Sequence, residues 1–296
     1  MSIAFAPSAA TSTAALRALW RDATPVHRFA LILGLALVLI AAATPLLAPF
    51  DPNAQSLLSR LRPPMGFDRA KAGHLLGTDE LGRDMLARCL YGLRLTLTLA
   101  ALGSVIGLII GGSLGVLAGV AGGRTEAVIM GAVDTQIAVP FTLIAVFLLT
   151  ILGHSIEVMV FVLGLDGWEK YARILCGETR KLMRMPFIEA ARAAGATPLR
   201  IARRHLLPNL MSPIVVQFTL SFSSIILLES TLSFLGLGVQ PPTATLGAMV
   251  GAGRDYMPTQ PWIVIAPAVL ILIVTFAVQT LGDWLRDRAD VRLRPR

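Results

Sequence analysis

"EAARAAGATPLRIARRHLLPN" (189–209) reads as a helix-forming run, a glycine and a second helix-forming run, set between two of the most apolar stretches of the chain. Pro186 suits a first helical turn, where its missing N–H costs nothing. Gly195 stands where a helix commonly ends in a left-handed residue. Thr197 and Pro198 supply the cap and first residue of a second helix that runs to about Leu206, and Pro208 marks the exit into the next apolar span. Arg192, Arg200, Arg203 and Arg204 make the segment cationic. A plain link between two membrane crossings needs no such regular design.

The flanks set the class. The chain has 296 residues, 55% of them hydrophobic and only 15% charged, with a mean hydropathy of +0.70. These values lie in the membrane range, and the apolar blocks reach the 20 or so residues that one crossing takes. The expected architecture is an all-α membrane protein with six transmembrane helices, near 29–50, 95–120, 127–152, 156–182, 210–238 and 262–282. The layout is then a tail (1–28), a first span (29–50), a loop with an amphipathic helix (51–92), a five-helix core (93–285) holding the connector 183–208, and a tail (286–296). Ala41-Ala42-Ala43 resembles a signal-peptidase site, but the preceding tail and the apolar run are both too long for a signal peptide.

Six crossings place both termini on one side. Eighteen of the 26 Lys and Arg residues fall on that side and eight on the other, so the positive-inside rule puts the termini and the 183–208 connector in the cytoplasm. The chemistry classes thin out as quickly. Cys89 and Cys176 show no CxxC spacing, four scattered histidines show no metal-ligand pattern, and the chain lacks GxxxxGK[ST], HExxH and GxSxG. The chain is expected to be no enzyme and to bind no metal or cofactor.

Within the spans, Gly103, Gly107, Gly111, Gly115 and Gly119 recur every four residues, about 400° around a helix, and form a smooth stripe for close helix packing. Span five carries Gln217, Ser221 and Ser224 at one-face spacing, with Glu229 further along. These residues either line a solute route or join helices by hydrogen bonds. Span four is interrupted by "DGWEK" (166–170). Asp166 and Lys170, and Glu169 and Arg173, are four apart with the acid first, the favourable order for pairing on a helix. One helix from about 156 to 182 is therefore expected, its charges facing protein or water. "TDELGRDMLARCLYGL" (78–93) reads as an amphipathic helix capped by Thr78, with Asp79 and Glu80 at its positive end. Its apolar face is Leu81, Met85, Leu86, Cys89, Leu90 and Leu93, with Arg83, Asp84 and Arg88 toward the other side. It lies at the membrane interface or meets a partner protein.

The opening segment has three readings on physical grounds: a basic loop held by anionic lipid, a helix-turn-helix on DNA, or a docking element. Tethering between two spans disfavours DNA, since a duplex would have to lie flush with the membrane. Glu189-Ala190-Ala191, Gly195, Leu207 and Pro208 resemble the EAA signature of bacterial ABC-importer permeases, with His205 where that pattern favours isoleucine. "GTDELGRDMLARCLYGLRLTL" (77–97), "WEKYARIL" (168–175), "ESTLSFLGLGVQPPT" (229–243) and "LGDWLRDRADVRLR" (281–294) extend the likeness to the peptide/nickel branch, on the DppC/OppC side of its permease pair. Departures are Ala87, Leu246, and the charges Asp166, Glu169 and Lys170.

The resemblance implies a type I ABC-importer permease fold in a bacterial inner membrane, passing peptides or a related small solute such as nickel by alternating access. It implies that the 189–208 loop, with Glu189, Ala190, Ala191, Gly195, His205, Leu207 and Pro208, docks on a separate ATPase that holds the ATP and Mg2+. Its implied partners are a DppB/OppB-type second permease, two ATPase subunits, a periplasmic or lipid-anchored solute-binding protein and membrane lipid, with no nucleic acid. Gln217, Ser221, Ser224, Glu229 and Asp166 are the pathway candidates. Two rivals remain: an ion-coupled secondary transporter using Asp134, Asp166 or Glu229, and a membrane-anchored scaffold.

Overall fold

The computed structural model describes residues 24–289; the expectations for the two tails at 1–23 and 290–296 lie outside it. Among the described residues the chain is helical, in the order α1 (Pro25–Ala42), α2 (Thr44–Leu47), α3 (Met85–Ala121), α4 (Gly123–Ala138), α5 (Phe141–Leu152), α6 (Ile156–Gly164), α7 (Trp168–Met183), α8 (Pro186–Ala193), α9 (Pro198–Ile201), α10 (Leu207–Phe234), α11 (Leu246–Gly253) and α12 (Trp262–Ala289). Four helical runs are long and apolar enough to cross a membrane: α1, α3, the continuous run Pro198–Phe234, and α12. A fifth forms if α4 and α5, bent by 87° at their junction, count as one span.

Two of the expected spans are broken. The α4–α5 break falls at Val139, whose extended backbone (φ −108°, ψ 128°) is what a following proline imposes. The second break overturns the continuous 156–182 helix: α6 ends at Gly164, and Gly167 takes a left-handed φ of 87° before α7 begins. A residue without a Cβ reaches that conformation freely. The expected Asp166–Lys170 and Glu169–Arg173 pairs are absent among the described residues; Arg173 instead pairs across to Asp134 on α4 at 2.5 Å. Other boundaries also move. Thr24 caps α1, so the first span starts before residue 29, and α12 runs past 285 to Ala289.

The bundle is organised around α3. Its glycine stripe is buried against α6 and α7, which run parallel to it. A Cβ at Gly103 would meet Leu163 Cβ at 3.1 Å, at Gly107 the Gly164 carbonyl at 3.3 Å, and at Gly111 the Trp168 carbonyl at only 2.0 Å. At Gly115 it would meet the Ala172 carbonyl at 2.5 Å, and at Gly119 the Thr179 Cβ at 2.6 Å. Backbone thus touches backbone over four turns, the kind of packing that stabilises helix pairs where lipid supplies no hydrophobic drive. The central core joins α1, α3, α5, α6, α10 and α12 through residues such as Leu37, Leu99, Leu149, Leu163, Ile225 and Val274.

The segment before α3 differs from the amphipathic-helix expectation. Helix begins only at Met85, where Asp84 caps it by accepting the Ala87 N–H at 2.7 Å, and it continues unbroken into the span. Thr78 is no cap: it is fully buried, donates to the Ser59 carbonyl and accepts the Arg62 N–H at 2.8 Å. Asp79 is a buried hub rather than a helix-end charge. It accepts from Leu81 N, Arg83 N and Arg83 Nε and lies 3.3 Å from Arg88 Nε. Arg83 and Arg88, expected on the polar face, are buried against Asp79, and Asp84 is buried with His74 Nδ1 at 2.8 Å. Trp262 Nε1 ties the start of α12 to the Thr78 carbonyl at 3.3 Å.

Candidate functional site

The loop 183–208 is built on a small core of its own. Leu175, Ile188, Ile201, Leu206 and Leu210 are buried together, with Val116, Leu182, Met183, Ala196, Ala202 and Ile214 around them. Pro186 opens α8 at its first turn. The helix closes with the hydrogen-bond pair of a glycine C-cap, Ala196 N to Ala191 O at 3.0 Å and Gly195 N to Arg192 O at 2.9 Å, with Gly195 at φ 78°. Thr197 then caps α9, accepting the Arg200 N–H at 3.3 Å, with Pro198 in its first turn.

Beyond α9 the expected break before span five is missing. Residues Ala202–Leu206 form a π-helical turn, with Leu207 N bonded to Ala202 O, and α10 follows without interruption. The wider turn absorbs Pro208, whose ring would clash with a carbonyl four residues back in a regular helix. A push on α9 therefore reaches span five through continuous helix rather than across a loop.

The other face of this loop is open. Glu189, Ala190 and Gly195 are exposed and Ala191 is half-buried. Leu207 and Pro208 are exposed at the start of α10, and the half-buried His205 ring lies 6.1 Å from Phe187. Leu199, at 67% exposure, Met185 and Phe187 are apolar side chains left uncovered on the same loop. Sequence reading passed over these three, although apolar residues at exposed positions of a basic helical segment were the available signal.

The pathway candidates separate into groups. Gln217 and Ser221 are buried and joined, Nε2 donating to Oγ at 3.0 Å. A Cβ on Gly167 would lie 3.5 Å from Ser221 Oγ, so the α6–α7 break and this pair are adjacent. Ser224 is exposed and belongs to another face of α10. Glu229 is buried elsewhere, accepting from Ser233 Oγ at 2.6 Å, and Ser233 Oγ lies 3.4 Å from Thr245 Oγ1. Through Ser233 it is linked to the Thr245 cap of α11.

Gln136, which the sequence gave no reason to single out, closes the α6–α7 break. Its Nε2 donates to the Leu165 carbonyl at 2.9 Å and to Glu169 Oε2 at 3.3 Å, while its Oε1 accepts from Trp168 Nε1 at 2.6 Å. These bonds satisfy backbone and side-chain groups that a broken helix leaves without partners. Arg180 to Glu126, at 2.6 Å, adds a further tie between α7 and α4.

Residues 111–291 match the family described as binding-protein-dependent transport system inner membrane component. The chain is 40% identical over 264 residues to the di/tripeptide transport system permease protein DppC of Pseudomonas aeruginosa, covering 89% of this chain and 87% of that one. It is 33% identical over 282 residues to the oligopeptide transport system permease protein OppC of Bacillus subtilis, covering 93% and 90%. A chain of the MetNI methionine ABC transporter, solved in inward-facing conformations, superposes with a TM-score of 0.55 at 24% identity, over 69% of this chain and 96% of that one. This last likeness concerns the fold.

Proposed function

The chain belongs to the binding-protein-dependent transport system inner membrane components, and from that premise we propose that it carries peptides and takes its drive through the 183–208 loop. It is a multi-pass inner-membrane permease subunit of an ATP-driven importer and works with a separate ATPase, having no enzymatic activity itself. Its solutes are dipeptides or short oligopeptides, a reading supported by the names of the DppC and OppC relatives. The complete importer holds a second permease chain, two ATPase subunits that bind ATP and Mg2+, and a solute-binding protein on the outer side. Both termini and the loop face the cytoplasm, a reading supported by the eighteen-to-eight division of basic residues.

The observation that carries the coupling role is a loop fixed on one face and bare on the other. Ile188, Ile201 and Leu206 anchor it, while Glu189 and Leu199 project outward. An ATPase groove that takes up Leu199 and pairs with Glu189 moves α8 and α9 as one piece, because the Gly195 cap fixes the angle between them. The motion then enters α7 on one side and α10 on the other. A photoreactive residue at position 199 tests this in the assembled importer. It should capture the ATPase, while the same residue at Leu46, 89% exposed, should not. Equal capture at both positions, or none at 199, would remove the assignment.

A further inference from the structure

The charges beside the α6–α7 break lie within the apolar part of the bundle. α3 runs alongside, with Gly111 against the Trp168 carbonyl. From Gly111 to the end of α3 at Ala121 is about 15 Å at 1.5 Å per residue. That is half of the roughly 30 Å hydrocarbon thickness. With the end of α3 set at the membrane surface, Asp166 and Lys170 fall near mid-membrane, with Arg173 one turn further on. Yet Lys170 is exposed and Asp166 half-exposed, and the Arg173 and Asp134 side chains are 51% and 71% exposed. Ionisable groups at such depth face a bundle interior or a water-filled cavity.

Two of these charges are already used. Arg173 is held by Asp134, and the buried Glu169 accepts from Gln136. Asp166 and Lys170 are near enough to feel each other's charge but close no direct ion pair among the described residues, because left-handed Gly167 breaks the helix that would have paired them. The buried Gln217–Ser221 pair lies against that same glycine. One carboxylate and one ammonium, a few residues apart and not joined in a direct ion pair, are complementary to a solute that carries both charges.

We propose that Asp166 and Lys170 form a subsite of the translocation pathway for a zwitterionic peptide, Lys170 receiving the terminal carboxylate and Asp166 the terminal ammonium. This rests on the peptide-import reading above and gives that reading a location in this chain. The test uses the complete importer in proteoliposomes, with its solute-binding protein, ATP and radiolabelled dialanine. Lys170→Gln and Asp166→Asn should each lower uptake per ATP hydrolysed about tenfold, the loss of one charge-assisted hydrogen bond. Lys170→Arg, which keeps the charge, should keep uptake. Lys170→Cys should react with a membrane-impermeant thiol reagent, more slowly when dialanine-loaded binding protein is present; native Cys89 and Cys176 are buried and give the baseline.

Normal uptake by both neutralised variants would overturn the subsite. So would an inert Lys170→Cys, which would mean that lipid or the second permease chain covers the position. A wild type that hydrolyses ATP and imports no dialanine would remove the peptide reading itself, and the subsite with it. That result is distinct from loss confined to the variants.

Discussion

Replacing Gly111 with alanine adds one methyl group at the tightest point of the α3–α7 contact. Its Cβ would lie 2.0 Å from the Trp168 carbonyl oxygen and 2.8 Å from the carbonyl carbon, both backbone atoms that no rotamer change can move. Ordinary contact requires the helices to part by about 1 Å or more, which forfeits much of the dispersion energy along the stripe. Alanine also gains roughly 0.8–1.0 kcal/mol over glycine in helix propensity. Overpacking costs about 1–3 kcal/mol, and an immovable backbone oxygen places this site at the upper end, so the expected net loss is about 2 kcal/mol. Gly131 on α4 supplies the internal control, since nothing lies within 4 Å of a Cβ there and only the propensity gain applies. Unfolding of the two variants in mixed micelles against denaturant should rank Gly131→Ala at or above wild type and Gly111→Ala well below it. Equal stability of the two variants would refute backbone-to-backbone packing along the stripe.

Other substitutions follow from the same geometry. Asp79→Asn removes the carboxylate that Arg83 and Arg88 share; breaking such a buried pair should cost about 3–5 kcal/mol, read as a lower thermal midpoint of the solubilised protein. Gln136→Leu strands the Trp168 indole N–H and the Leu165 carbonyl at about 1–3 kcal/mol per group, and should free Asp166 and Trp168 for faster labelling by a water-soluble probe at an introduced cysteine. Gly195→Val forces a β-branched residue to φ 78°, at about 1–2 kcal/mol, and should uncouple uptake from ATP hydrolysis while membrane insertion persists. Gly195→Asn, which tolerates that conformation, should retain most of the uptake.

Much of the 183–208 loop was legible because its signals are local. Pro186, Gly195, Thr197 and Pro198 each act on their own backbone, and each sits where capping chemistry puts it. The glycine stripe was legible for a similar reason: a four-residue rhythm maps directly to one helix face, although its partner helix was not readable from spacing. The 78–84 segment was misread because Thr78, Asp79 and Arg83 look like a helix start in sequence. Thr78 is instead tied to Ser59 and Arg62, contacts that no local pattern announces, and Asp79 folds back on Arg83 and Arg88 in a buried cluster. Span four failed through one residue. The i,i+4 charge spacing argued for a continuous helix, and Gly167 with Gln136 from another helix made a break cheaper than the pairing. Spacing alone does not separate the exposed Met185, Phe187 and Leu199 from the buried Ile188, Ile201 and Leu206 beside them.

The central claim is that this chain admits solute only when an ATPase moves the 183–208 loop. The most direct measurement compares dipeptide uptake with ATP hydrolysis in proteoliposomes of the complete importer, for wild type and Glu189→Lys, without any ion gradient. The account predicts ATP-dependent uptake by the wild type and loss of uptake in Glu189→Lys, with the variant chain still inserted in the membrane. Uptake that persists without ATP and follows an imposed ion gradient, or a Glu189→Lys importer that works normally, would contradict it.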